Sequence, residues 1–321
     1  MNGSTLITKN GEHPVHIPKK NKMNKDRWTL LLLASPFLLF FLLFSYLPLL
    51  GWSLSFFQYR PGLTFETMEF VGLQYFRWMF TIDWTDVRRV LTNTLAMSGL
   101  LLLCTPLPML LAILLNEVRS TKYKRFVQTF TTLPNFVSWV IIFSLAFALF
   151  STDGMINTIF FSSGIIDEKI RILDNRDIVW RFQTLLNIWK GTGWSAIIYI
   201  AAIAGIDQEQ YEAAIVDGAG RFQRVIYITL PGLMPTFFTL LLLNMGWLLS
   251  PGEGLNQYLN FYNAMVAPRI ETLDYFVYRV GILSGAFSYA TAVGMLRSIV
   301  SVLMLVIANY VSKAIRGTGL F

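Results

Sequence analysis

The stretch TLLLLASPFLLFFLLFSYLPLLGWSLSFF, Thr29 to Phe57, contains no charged side chain. A helix needs about 20 apolar residues to cross the hydrocarbon core of a bilayer, and this run exceeds that length. It is too long for the core of a secretory signal and lacks an A-x-A-like cleavage site, so it reads as a helix that stays in the membrane. Five more runs of spanning length follow: Val90 to Leu115, Phe126 to Phe150, Thr184 to Ile206, Gly232 to Ser250 and Ala290 to Tyr310. Leu273 to Phe287 is aromatic but too short and polar to span alone, which suits a re-entrant or interfacial piece. Only 14% of the residues are charged and 54% are hydrophobic, whereas soluble domains are about one quarter charged. The expected architecture is an all-α membrane protein of six transmembrane helices.

Charge placement orients these helices. The net charge of +7 is no nucleic-acid footprint, because the basic residues flank the apolar runs. The N-terminal segment carries Lys9, Lys19, Lys20, Lys22, Lys25 and Arg27; the short loop NEVRSTKYKRF carries Arg119, Lys122, Lys124 and Arg125; Lys313 and Arg316 follow the last run. The longer loops on the other side mix signs, as in Asp83, Asp86, Arg88 and Arg89, or Asp167, Glu168, Lys169 and Arg171. Basic loops mark the cytoplasmic side, which predicts that both termini are inside. Residues 1–28 read as a disordered basic cytoplasmic tail and 29–321 as the membrane domain, with a cytoplasmic loop at about 206–231. Pro36, Pro48, Pro106, Pro108, Gly191, Gly193 and Gly205 interrupt the runs. Broken helices are tolerated where they pack on protein or line a cavity, and together these residues suit a bundle that moves.

Several chemistries are excluded. His13 and His16 both lie in the polar tail, and Cys104 is the single cysteine, inside an apolar run. No histidine metal site, catalytic triad or internal disulfide follows from such a set. No sequence of the form G-x-x-x-x-G-K-[ST] occurs, so the chain has no P-loop for ATP. No bound cofactor is expected.

The loop GIDQEQYEAAIVDGAGRFQRVIYITLPGL sits between two apolar runs. Asp207 with Gln210 three residues on resembles a capping box, residues 208 to 217 are good helix formers, and Gly218 permits the left-handed backbone that ends a helix. A second short helix is expected from near Gly220 to Pro231. The result is two short helices lying across the membrane face, with small Ala213, Ala214 and Ala219 allowing another surface to approach. Asp217 suits either a docking contact or a cap for the second helix. The spacing E-A-A, three residues, G, nine residues, I-x-L-P is met by Glu212, Ala213, Ala214, Gly218, Ile228, Leu230 and Pro231. This resembles the EAA loop of ABC importer permeases, and Asp217, Gly218 and Ala219 make it similar to the carbohydrate-uptake, maltose-type branch. Val225 stands where that branch commonly has phenylalanine. FVGLQYF, DGMIN and IWKGTGWSAIIYIAAIAGI are also similar to sugar-permease patterns. LDYFVYRVGILSGAFSYATAVGM and ANYVSKAIRGTGLF resemble the subgroup that imports pectin- or alginate-derived oligosaccharides.

The resemblance implies a type I ABC importer permease fold in a bacterial plasma membrane. It implies a second, different permease subunit, two cytoplasmic ATPase subunits that use ATP, and an extracellular or periplasmic solute-binding protein. It further implies that Glu212, Ala213, Ala214, Asp217, Gly218, Ile228 and Pro231 form the ATPase-coupling element, with Glu212 facing a basic residue of the ATPase. Sugar recognition needs aromatic faces and hydroxyl partners. Asn187, Lys190, Trp194 and Tyr199 in the fourth run, with Asn244 and Trp247 in the fifth, are the candidates for the substrate path. Lys190 would suit a uronate carboxylate if it faces that path, or would snorkel toward headgroups if it does not. Trp189, Arg279 and Arg297 are weaker candidates. An autonomous secondary transporter is the alternative, but the runs have almost no acidic residues for ion coupling.

Overall fold

The computed structural model describes residues 25–62, 64 and 67–316. The tail expected over 1–28 lies outside these residues, except for Lys25 to Trp28, which are already helical. The chain divides into one unit up to Gly51 and a second from Trp52 onward. The first holds α1 (Lys25–Phe41), which leads through a π turn, Leu42–Tyr46, into a 3-10 stretch, Leu47–Phe56, whose residues from Trp52 belong to the second. Pro36 lies inside α1 without ending it. Proline frees the carbonyl four residues back, here that of Leu32, and the Ser35 hydroxyl donates to that oxygen at 2.8 Å. In lipid such re-satisfaction is what permits a proline inside a span.

The second unit continues with an antiparallel pair, β1 (Phe57–Gln58) and β2 (Glu69–Phe70), in which Phe57 faces Phe70. The short amphipathic helix α2 (Gln74–Thr81) buries Tyr75 and Met79, one turn apart on a single face. Then come α3 (Trp84–Leu103) and α4 (Pro106–Glu117). They are separated at Cys104 and Thr105, where Pro106 and Pro108 cannot donate into the preceding turn. The helices α5 (Thr121–Thr132) and α6 (Trp139–Phe150) are each capped by a serine, Ser120 and Ser138, and Pro134 breaks the chain between them. After α7 (Met155–Ser162) comes the 26-residue α8 (Val179–Ala204), about 39 Å long at 1.5 Å per residue. Next are α9 (Gln208–Val216) and α10 (Arg221–Arg224), which passes through the π turn Val225–Thr229 into α11 (Leu230–Gly246). Three short helices, α12 (Leu255–Phe261), α13 (Ala267–Ile270) and α14 (Leu273–Tyr278), precede the last span, α15 (Phe287–Arg316).

Among the described residues, five helical runs are long and apolar enough to span: Trp28–Phe56, Trp84–Glu117, Trp139–Ser162, Arg221–Gly246 and Phe287–Ala314. The third differs from the expected Phe126 to Phe150, because the break at Pro134 divides that run. The sixth helix is α8, long enough but too polar for the same criterion. Its polarity faces protein: Gln183, Thr184 and Lys190 are buried, and the helix packs against α3, α4, α5, α11 and α13. Three apolar clusters follow from this arrangement. One joins α2, α3, α14 and α15 around Val90 and Phe276; one joins α3, α6, α8, α12 and α13 around Ile142 and Tyr258; one joins α4, α8 and α11 around Ala112 and Leu233.

Gly193 sets the approach of α8 to α5. A Cβ there would stand 2.1 Å from the Thr131 carbonyl oxygen and 2.2 Å from its carbon. Backbone cannot rotate away as a side-chain tip can, so even one methyl forces the two helices apart. Small residues at such crossings are what let helices pack in membranes. Gly193→Val is expected to destabilise the domain by about 3 kcal/mol or more, the upper end for overpacking. A lowered midpoint of thermal unfolding in detergent, or loss of inserted protein, checks this.

The segment from Trp247 to Ala286, expected in part as a re-entrant or interfacial piece, is held to the spans by ionic contacts. Glu253 meets Lys190 of α8 at 2.7 Å, Glu271 meets Arg89 of α3 at 2.7 Å, and Asp274 meets Arg297 of α15. Arg279 also pairs with Glu271, at 2.6 Å. Arg279 and Arg297 are therefore committed to internal carboxylates.

Candidate functional site

The first candidate is the α9–α10 turn. Asp207 caps α9, its carboxylate accepting from the Glu209 N–H at 3.0 Å. At the other end, Gly218 N–H donates to Ile215 O at 3.0 Å and Ala219 N–H to Ala214 O at 2.8 Å. Those two bonds, with φ of +79° at Gly218, make a Schellman motif. Asp217 is the C-cap residue of α9, and Gly220 starts α10, where the Gln223 side chain accepts from the Gly220 N–H at 2.7 Å. The capping contact expected of Asp207 with Gln210 is thus replaced by one to Glu209, and the N-cap of the second helix falls to Gly220. That helix does not stop at Pro231 but runs on into the span.

The turn is joined to the bundle in two places. Tyr211 and Thr229 share a hydroxyl–hydroxyl bond of 2.9 Å. At Gly232 a Cβ would come within 2.7 Å of the Ile206 side chain, so the loop's two ends close tightly. Of the seven candidate coupling residues, Glu212, Ala213, Asp217, Gly218 and Pro231 are exposed, and Ala214 and Ile228 are half-buried. Val216 and Phe222 beside them are 87% and 75% exposed, an apolar addition the spacing did not single out. Val225 packs inward against the cluster of α4, α8 and α11. Its difference from phenylalanine is absorbed inside the fold, away from the exposed turn.

The second candidate is a cleft of about 530 Å³ between α3, α4, α8 and α11. It contains four of the six path residues, Asn187, Tyr199, Asn244 and Trp247. Trp247 is exposed and Asn244 offers a polar side chain beside it, while Tyr199 is only 3% exposed and belongs to the cluster beneath. Ser98, Thr105, Thr192 and Ser195 add hydroxyls. Aromatic surface beside such groups suits a carbohydrate, whose ring faces are apolar and whose edges are hydroxylated.

Lys190 and Trp194 lie off this cleft. The Lys190 ammonium is buried, 2.7 Å from a Glu253 carboxylate oxygen, 2.9 Å from the Asn135 carbonyl oxygen and 5.7 Å from the Trp139 ring centre. With these partners it neither snorkels nor presents an unpaired cation to a uronate in this arrangement. Trp194 stands edge-on to Phe136, ring centres 5.7 Å apart. Sequence reasoning missed Glu253. Its signal was the flanking pair Gly252 and Gly254, both with positive φ, 64° and 58°, just beyond the span.

The family model for the binding-protein-dependent transport system inner membrane component matches residues 105–317. Protein LplB of Bacillus subtilis is 44% identical over 302 residues, covering 93% of this chain and 92% of the relative. The polygalacturonan/rhamnogalacturonan transport system permease protein YteP of the same organism is 40% identical over 295 residues, covering 91% of this chain and 90% of that one. Among solved structures, the bacterial alginate ABC transporter in complex with an alginate pentasaccharide-bound periplasmic protein superposes with a TM-score of 0.82 at 32% identity, covering 92% of this chain and 98% of that one.

Proposed function

The chain belongs to the family of binding-protein-dependent transport system inner membrane components, and we propose that it is a permease subunit of an ATP-driven ABC importer of oligosaccharides. The observation that carries this reading is the likeness, along nine tenths of the chain, to a permease for polygalacturonan and rhamnogalacturonan. It is supported by the likeness to an importer of the acidic polysaccharide alginate, and we take acidic oligosaccharides as the candidate cargo on that ground. In this reading the chain is a multi-pass protein of the bacterial plasma membrane, with both termini and the α9–α10 turn in the cytoplasm. It works with a second, different permease, two ATPase subunits that consume ATP, and a solute-binding protein that delivers the sugar from outside.

The mechanism follows from the connections of the turn. An ATPase surface fits against the exposed residues from Glu212 to Phe222. Nucleotide-driven closure moves the turn, and the Tyr211–Thr229 bond and the Ile206–Gly232 contact pass that motion to α8 and α11. These two helices form walls of the cleft, so the same displacement changes access to Asn187, Asn244 and Trp247. The bundle is the two-state element that both sites bias.

Proteoliposomes containing the two permeases, the ATPases and the binding protein are expected to accumulate labelled oligogalacturonide only with ATP inside the compartment bearing the ATPases. Accumulation by this chain alone, driven by an ion gradient, would reject the reading in favour of a secondary transporter.

A further inference from the structure

Gln257 of α12 is fully buried and lies outside the cleft, yet it fixes the orientation of an amide that lines it. Its Nε2 lies 3.0 Å from the backbone oxygen of Gln183 and 3.0 Å from the Gln183 side-chain oxygen. A backbone carbonyl only accepts hydrogen bonds, so the Gln257 atom facing it is the NH₂ group. Gln257 Oε1 therefore points to the other side, where Asn187 Nδ2 stands 3.2 Å away. Because Oε1 also only accepts, Asn187 turns its NH₂ toward Gln257. An immovable main-chain oxygen thus decides, through two links, which way the Asn187 amide faces. What remains of Asn187 for the cleft is its Oδ1 and one N–H.

Gly252 is the third member of this arrangement. A Cβ there would lie 2.4 Å from Gln257 Oε1 and 2.8 Å from Asn187 Nδ2, and the residue has φ of +64°. The loop that carries Glu253 is therefore shaped around the Gln257–Asn187 bond.

We propose that Gln257 is a positioning residue for saccharide recognition, acting through Asn187. By holding the amide in one orientation it gives the cleft an acceptor and a donor side by side. A sugar hydroxyl satisfies both, donating to Oδ1 and accepting from N–H, whereas a carboxylate meets the Oδ1 lone pairs with lone pairs of its own. Asn187 therefore reads a hydroxyl even when the sugar carries uronates elsewhere. The inference rests on the cleft being the saccharide site.

The test uses the complete reconstituted importer with saturating binding protein loaded with labelled oligogalacturonide. The readouts are sugar imported per ATP hydrolysed and the hydrolysis stimulated by the loaded binding protein. Asn187→Ala and Gln257→Leu are each expected to lower the import-to-hydrolysis ratio about tenfold, the equivalent of one lost contact of 1.4 kcal/mol. Stimulated hydrolysis persists in both, which shows an assembled complex. The double variant is expected to be no worse than Asn187→Ala, since Gln257 has no route to the sugar except through that amide. Additive losses, or a normal ratio in Gln257→Leu beside a defective Asn187→Ala, overturn the inference and leave the cleft reading intact. A normal ratio in Asn187→Ala overturns the cleft reading itself. If Gln257→Leu does not assemble, Gly252→Ala disturbs the same bond from the loop side, and the same outcomes are read from it.

Discussion

Gly218→Asp is expected to lower ATP-driven import at least about tenfold, the effect of 1.4 kcal/mol or more lost at one contact, while the protein stays inserted and folded. The reason lies in what surrounds the glycine. A Cβ at Gly218 meets nothing within 4 Å, although its φ of +79° lies where few side chains are at ease. Aspartate is among the residues that tolerate the left-handed region best, so within this chain the change costs about 1 kcal/mol, the low end for a non-glycine residue there. Its carboxylate instead projects from the tip of an exposed turn, next to Asp217 and one helical turn and a half from Glu212. In the proposed complex, the ATPase surface that faces Glu212 and a bare backbone would then meet bulk and a further negative charge. Three measurements separate this from misfolding: the midpoint of thermal unfolding changes little, co-purification of the ATPase falls, and so does import. Glu212→Ala is expected to show the same pattern at smaller size if its partner is exposed, because exposed ion pairs contribute about 1 kcal/mol or less. Import at the native rate by Gly218→Asp would show that the turn does not carry the coupling.

Much of the frame was legible because membranes leave few options. Apolar length alone gave the first run to within one residue at each end and the last to within four, while the second began six residues late and the fifth eleven residues inside its helical run; proline positions pointed to the break between α3 and α4, whereas Pro36 did not interrupt α1. The geometry of the α9–α10 turn was legible for a different reason: a Schellman motif is local, and its left-handed residue is glycine in most cases. The sequence was less informative where partners are distant along the chain. Lys190 read as an unpaired cation in a span, yet its carboxylate lies 63 positions on, since 253 − 190 = 63. The three ionic attachments of the Trp247–Ala286 segment are of this kind, as is the amide relay from Gln183 through Gln257 to Asn187. Hydropathy placed the run Thr184 to Ile206 on α8 but does not account for its polar residues. It scores Gln183, Thr184 and Lys190 as costly in lipid, whereas the other helices cover them. The break at Pro134 shows the converse: the flanking residues are apolar enough to disguise a discontinuity whose cause is one missing N–H.

The largest electrostatic effect on stability is expected at Glu271. Its side chain is 3% exposed and lies between two guanidinium groups, Arg89 at 2.7 Å and Arg279 at 2.6 Å. Around it the Asn93 amide donates to the backbone oxygens of Pro268 and Glu271, and the Thr94 hydroxyl accepts from the Leu273 N–H. One carboxylate thus pairs with two cations at the point where the Trp247–Ala286 segment is tied to α3. Removing one member of a buried ion pair costs about 3 to 5 kcal/mol, chiefly because the other charge is left without a partner. Here the arginines are about a third exposed and Arg89 keeps Asp86 at 3.2 Å, so water and Asp86 offset part of that loss. Glu271→Ala is therefore expected to cost about 2 to 3 kcal/mol, below the fully buried range. Glu271→Gln should cost less than Glu271→Ala, since it fills the same space and keeps an acceptor. The decisive comparison is the double variant Glu271→Met with Arg279→Met, which removes one charge of each sign and returns apolar volume. If electrostatics governs this site, the double variant unfolds at a higher temperature than Glu271→Met alone. Equal or lower stability of the double variant would mean that the shape of the Glu271 side chain, and not its charge, holds the segment to α3.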